Sequence, residues 1–145
     1  MKRFAAITAF LLISAAASAQ WINGLTIQPS NPTSNDTIRI YAAVSFPSGG
    51  CDYKTQFHSV IGSQIQASAL HCLGMAAFIC STTDTFVIEP LPAGTYTFIM
   101  QLDAGAGPGP CTPGFVPGPT DSLVFSVTQA SSLPEIPEGA MFSIY

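Results

Sequence analysis

Four cysteines, two histidines and a thin scatter of carboxylates hold most of the chemistry this chain could perform. Cys51, Cys72, Cys80 and Cys111 could ligate a metal or pair with one another. Their spacings match no paired C-x-x-C pattern of the kind zinc sites use. They read instead as two disulfides, for which three connectivities exist. His58 and His71 could each serve as a base, but neither sits in a recognisable partner motif. No G-x-S-x-G surrounds a serine and no H-E-x-x-H is present. Asp52 and Asp103 are the carboxylates best placed to meet by folding, although turn capping or solvation explains acids at such positions more simply. The stretch 104–120 is rich in Gly but broken by Pro, and proline removes the amides a phosphate cradle would use. The expectation is a non-catalytic chain with no metal and no cofactor.

What must position these residues begins with the ends of the chain. Met1-Lys2-Arg3, an apolar run over 4–13 and Ala17-Ser18-Ala19 form the three parts of a secretory signal peptide, 1–19. Cleavage there makes Gln20 the first mature residue and sends the chain to an oxidising compartment. The apolar run is too short to span a bilayer, and nothing else approaches the ~20 residues required. No cysteine follows the cleavage site, so a lipoprotein is not expected. The whole chain of 145 residues carries a formal charge of −4. Without Lys2 and Arg3 it keeps Arg39 and Lys54 against eight acids, hence −6. That excludes nucleic acid, whose binding rests on Lys and Arg neutralising phosphates, and it disfavours anionic membranes.

After the signal no long helical period appears, while period-two alternation recurs. A short strand is expected at 25–27, ended by Pro29-Ser30-Asn31-Pro32. Over 36–46, Ile38, Ile40, Ala42, Val44 and Phe46 share one face. Over 53–61 the expected inward set is Thr55, Phe57, Ser59 and Ile61, which leaves Lys54, Gln56 and His58 outside. Gly62-Ser63 is a tight turn before a strand at 64–70, and 71–79 is ambiguous. Strands follow at 85–88, at 95–103 with Tyr96, Phe98, Met100 and Leu102 inward, and at 121–128 with Leu123, Phe125 and Val127 inward. The loop 104–120 separates the last two. Seven to eight short strands with turns about every ten residues predict an all-β antiparallel sandwich over 20–129. Its expected core is Ile38, Ile40, Val44, Phe46, Phe57, Phe86, Ile88, Tyr96, Phe98, Met100, Leu102, Phe125 and Val127. Residues 130–145 then form a linker and a terminal strand.

The stretch Leu91-Pro92-Ala93-Gly94-Thr95-Tyr96-Thr97-Phe98 resembles the E–F corner of immunoglobulin-like and fibronectin III-like domains. In those folds a tyrosine near the start of strand F bonds back across the corner, a role that falls here to Tyr96. In a sandwich the B–C and F–G loops share a pole, which favours Cys51–Cys111, and Cys72–Cys80 would close a hairpin. Because strand C′ returns to the same pole, Cys51–Cys72 with Cys80–Cys111 is the alternative.

As a whole the chain resembles the secreted β-sandwich proteins of Bacteroidota that leave by the type IX secretion system. The tail Ser132-Leu133-Pro134-Glu135-Ile136-Pro137-Glu138-Gly139-Ala140-Met141-Phe142-Ser143-Ile144-Tyr145 is similar to the lead-in to their C-terminal sorting domain. In that family a Pro-Asn-Pro turn and further strands come next, so only the start of a sorting domain is expected here. Asp36-Thr37-Ile38 and Asp121-Ser122-Leu123 are similar to the sites at which such bacteria O-glycosylate exported proteins, which implicates Thr37 and Ser122. Ordinary strand-start residues account equally well for both motifs.

The expected function is that of an exported module for cell-surface or extracellular binding, adhesion or structural assembly, with a protein or glycan partner. An alternative is a protease inhibitor or ligand trap that presents the loop 104–120, with Pro108, Pro110, Pro113 and Phe115 as contact residues. A small hydrolase built around His58 or Asp103 is the third reading. Residues 141–145, with Phe142 and Ile144 on one side, could meet export machinery or add to a partner's sheet edge. The expected location is extracellular or cell-surface, and periplasmic without a sorting domain.

Overall fold

Alternation builds the strands, and the most regular run builds the centre of a sheet. The structure is a computed structural model and describes residues 20–114 and 116–131. The expectations placed on 1–19, on Phe115 and on 132–145 lie outside the described residues. Among the described residues are seven strands and no helix. They are β1 (Trp21–Gln28), β2 (Ile38–Phe46), β3 (Lys54–Ile61), β4 (Gln64–Leu73), β5 (Cys80–Ile88), β6 (Gly94–Ala106) and β7 (Thr120–Val127). No helix there is long and apolar enough to cross a membrane.

The strands form two sheets, ordered β1-β2-β5 and β3-β4-β6-β7. All neighbours are antiparallel except β4 and β6, which run parallel from Gln64↔Thr97 to Leu73↔Ala106. Inward residues of β2 and β5 (Ile38, Ile40, Val44, Phe46, Phe86 and Ile88) meet inward residues of β4, β6 and β7 (Ile65, Phe98, Met100, Leu102, Phe125 and Val127). The rings of Phe86 and Phe98 touch across the two sheets at 5.4 Å, and Tyr96 stacks on Phe125 at 5.9 Å. Tyr96 also donates its hydroxyl to Pro92 O at 3.0 Å, which closes the turn between β5 and β6. Past β7, the Thr128 N–H donates to Pro32 O at 2.9 Å and ties the end of the sandwich to the β1–β2 loop.

Strand β3 reverses the expected phase. Phe57 is 67% exposed and Ile61 61%, whereas Lys54, Gln56 and His58 turn toward β5. His58 packs edge-to-face on Phe86 at 6.3 Å. The reason lies in the neighbouring strand. The inward positions of β4 are Ile65, Ala67, Ala69 and His71, a more apolar set than Lys54, Gln56, His58 and Val60. Burial is proportional to apolar area, so β4 takes the central place beside β6 and β3 is left at the rim. There its polar inward side chains reach over to the edge of β5. Gln56 Nε2 donates to Thr85 O at 2.8 Å.

Other boundaries also move. β1 and β5 start earlier than expected, and β4 runs on to Leu73. β6 continues to Ala106, into the stretch expected to be loop, because the parallel β4 supplies a ladder as far as Leu73↔Ala106. The turn between β3 and β4 is Gly62-Ser63, with φ +60° at Gly62. A positive φ at the first central residue is the backbone of a two-residue hairpin of type II′, and it favours glycine there.

Candidate functional site

Three loops meet at one pole of the sandwich: 47–53, 74–79 and 107–119. Their backbones are knitted together. The Gly49 N–H donates to Ala76 O at 2.8 Å and the Gly74 N–H to Gly49 O at 2.9 Å. The Ser48 hydroxyl donates to Gly74 O. The Gly114 N–H donates to Ala104 O at 2.9 Å and the Leu102 N–H to Pro119 O at 3.0 Å, so the third loop folds back over β6. Gly105 permits that return. A Cβ on Gly105 would overlap the Thr112 carbonyl and Cys111 Sγ.

Two disulfides fasten the same loops, and they correct the expected pairing. Cys51 bonds to Cys80 and Cys72 to Cys111, neither Cys51–Cys111 with Cys72–Cys80 nor the alternative. Cys51 and Cys111 do share a pole, but side-chain direction decides between partners. Cys72 lies on the outer face of β4, in phase with Gln66 and Ser68, where the β6–β7 loop crosses over it. Cys80 is in phase with Asp84, Phe86 and Ile88 and points between the sheets, where Cys51 is fully buried. β4 and β5 belong to different sheets, so Cys72 and Cys80 do not flank a hairpin. Closing separations of 29 and 39 residues is worth on the order of 4 kcal/mol each in the chain-entropy account. Two disulfides are the mark of an oxidising, extracellular-type environment.

Between the loops lies a cleft of about 610 Å³, lined by Ser48, Leu73, Gly74, Met75, Ala104–Gly107 and Gly114. Its lining carries no ionisable side chain. Met75, in that lining, is 100% exposed, and Phe78, Ile79, Tyr53 and Val116 on the same three loops are also largely open to solvent. Pro108, Pro110 and Pro113, the candidate contact residues in the third loop, are all exposed.

Beneath the pole sits a buried ionic cluster. His71 and Asp84 are both fully buried. His71 Nδ1 lies 2.8 Å from Cys51 O and Nε2 2.9 Å from Asp84 Oδ2. A carbonyl oxygen can only accept, so Nδ1 donates to it. Lys54 Nζ meets the other carboxylate oxygen, Oδ1, at 2.5 Å. Burial pushes the Asp84 carboxyl upward, but hydrogen bonds from His71 and Lys54, with their charge, outweigh it and hold it below the ordinary value of 3.8. Nε2 faces the Asp84 carboxylate, so both ring nitrogens point at acceptor oxygens. The His71 ring packs on Phe46 at 4.7 Å. Both nitrogens are occupied, and the cluster ties β3 and β4 of one sheet to β5 of the other.

The remaining sequence candidates stay apart. Asp103 accepts from Gln101 Nε2 at 3.3 Å and from the Gly118 N–H at 3.2 Å, while Asp52 is exposed and forms no bond to it. Thr37 is half-buried just before β2, and Ser122 is exposed on β7. The neighbouring acids have structural partners: Asp36 accepts from Thr33 N and Oγ1, both at 2.7 Å, and Asp121 from Ser122 N at 2.8 Å. No group of three or more His, Cys, Asp or Glu among the described residues could hold a metal. Comparison with protein-family models, curated proteins and solved structures finds no match.

Sequence reasoning passed over the loop 74–79 and the ionic cluster. The run Leu73-Gly74-Met75-Ala76-Ala77-Phe78-Ile79 holds no charged or strongly polar residue between two cysteines, an available sign of an exposed apolar tip. His71 and Asp84 share phase with Ala69 and Phe86, which marks both as inward.

Proposed function

We propose that the chain is an exported, non-catalytic binding module of immunoglobulin-like build that grips an apolar segment of a protein partner at its stapled pole. The observation that carries this reading is the apolar cleft walled by three loops that two disulfides hold in place. Loops fixed before binding lose less entropy on binding. The cleft falls within the ~300–1,000 Å³ usual for ligand pockets, and the open side chains of Met75 and Phe78 suit an adaptable apolar contact. A glycan would need hydrogen-bonding groups, yet the polar side chain in the lining, Ser48, already bonds to Gly74 O. The third loop lies back on β6, which favours a cleft wall over a projecting inhibitor loop. The Tyr96–Pro92 bond and the β1-β2-β5 order support the immunoglobulin-like assignment. The parallel β4–β6 pair makes it a variant of that pattern. The signal at 1–19 and the disulfides support export, and the tail resemblance makes the type IX route our reading.

Selection of a random peptide library on the immobilised protein tests the binding reading. Apolar peptides should be enriched, and Met75→Asp or Ile79→Asp should abolish their binding. Val124→Asp, at the far end of the sheet, should leave it intact. No enrichment, or binding indifferent to the pole substitutions, refutes it. The export reading predicts surface exposure to added protease in a host with the type IX system, lost when that system is inactivated.

A further inference from the structure

We propose that two copies of this chain pair antiparallel through β3, on a two-fold axis at Phe57, and join their four-stranded sheets into one. β3 is an edge strand with β4 as its neighbour. The Cys72 N–H donates to Tyr53 O at 2.9 Å, and the register runs without a bulge from Lys54↔His71 to Ile61↔Gln64. Bonded pairs alternate along an antiparallel ladder. Thr55, Phe57, Ser59 and Ile61 therefore spend their backbone groups on β4. Those of Lys54, Gln56, His58 and Val60 point off the edge.

This edge carries none of the usual guards against pairing, which are proline, a bulge or an outward charge. Lys54 is its one charged residue, and its ammonium is turned inward onto Asp84. The adjacent edge, β5, is guarded: Thr85 O accepts from Gln56 and Thr83 O from Lys54. The side chains of β3 thus cover the neighbouring edge and leave its own backbone free.

The occupant follows from the pattern on the outer face. Tyr53, Phe57 and Ile61 are 45%, 67% and 61% exposed and lie four residues apart, symmetric about Phe57. Off-edge groups must meet off-edge groups, so only registers in which paired residue numbers share parity are allowed. The register centred on Phe57 sets Phe57 against its symmetry mate, Tyr53 against Ile61 and Thr55 against Ser59. Lys54 with Val60, and Gln56 with His58, exchange backbone hydrogen bonds. Sliding by one step in either direction faces Phe57 with Thr55 or Ser59 and loses the apolar matches. Asp52 falls opposite Gly62, so the acidic chains meet no like charge there. A strand that is its own best complement fits an isologous dimer.

Sedimentation of the purified protein across the micromolar range tests this. Wild type should show a concentration-dependent monomer–dimer equilibrium. Phe57→Lys should weaken it about tenfold or more without lowering the melting temperature of the monomer at high dilution, where the ring is mostly in water. Phe57→Cys should give a covalent dimer on mild oxidation, because residues opposite each other at a non-bonded position sit close enough for a disulfide. Ile79→Asp, at the pole, should leave the dimer unchanged. A monomer at every concentration overturns the proposal, as does a dimer indifferent to Phe57→Lys. A dimer lost on Ile79→Asp also overturns it, since it would place the contact at the pole.

Discussion

Replacing Asp84 by Asn tests whether the buried cluster braces the sandwich as an ion pair. Asparagine keeps the shape but offers one acceptor oxygen where the carboxylate offers two, so either His71 Nε2–H or Lys54 Nζ must face an amide donor. His71 is fully buried and has no water to turn to. Removing one partner of a buried pair costs about 3–5 kcal/mol. In a domain of this size that is a fall of about 10–20 °C in melting temperature. The assay is urea unfolding at neutral pH under non-reducing conditions, repeated at steps down to about pH 2. The folded Asp84 titrates below its ordinary value of 3.8. Its stabilisation is therefore complete above 3.8 and drains away as pH falls through the lower folded value. The gap between wild type and Asp84→Asn should close on that acid side. Asp36, whose carboxyl Thr33 N and Oγ1 also hold low, is present in both proteins and cancels. Replacing all three members with apolar residues (Lys54→Met, His71→Leu, Asp84→Leu) should cost far less than the single change, because no charge is left unpaired. A single-variant cost under about 1 kcal/mol, or a gap that persists unchanged into acid, would refute the reasoning.

Non-reducing peptide mapping should return Cys51–Cys80 and Cys72–Cys111. Changing Cys72 and Cys111 together to Ala should cost on the order of 4 kcal/mol and speed amide exchange in the loop 107–119. Gly105→Ala should destabilise by about 1–3 kcal/mol, since its Cβ meets the Thr112 carbonyl, whereas Gly24→Ala, with nothing within 4 Å, should be tolerated in a thermal melt. Phe98→Ala should cost about 3–5 kcal/mol and Phe57→Ser under about 0.5 kcal/mol by urea unfolding of the monomer at high dilution. Equal costs would restore Phe57 to the core.

Much of the sandwich was legible where a strand has strongly apolar residues on one face. In β2, β6 and β7 the alternating residues alone mark the buried side, because the apolar face of each is the one turned toward the other sheet. β3 was misread for a reason that counting apolar residues cannot detect. Its apolar face is its outer face, and its inward face is polar because it covers the edge of β5. Disulfide pairing required knowing both sheet membership and side-chain direction. The parallel β4–β6 pair depends on which arm of a hairpin is buried more fully. At the pole, the prolines mark the third loop, but the cleft exists only because β6 extends to Ala106 beneath it. That extension is supplied by β4, 33 residues earlier in the chain, in a ladder that joins Cys72 to Gly105 and Leu73 to Ala106 at its end.

Low charge links these misreadings. A chain with Arg39 and Lys54 as its strong bases after residue 19 has little with which to guard four sheet edges. Lys54 is committed to Asp84, so it cannot also stand outward on β3. Burying Asp84 and His71 between the sheets fixes Lys54 in place. Moving Lys54 inward then forces the phase of the whole strand, because successive side chains alternate. Phe57 and Ile61 face outward as a consequence of that choice at the first residue of β3. The exposed apolar ridge and the buried ionic cluster are thus two sides of one register, and a change that releases Lys54 from Asp84 should disturb both.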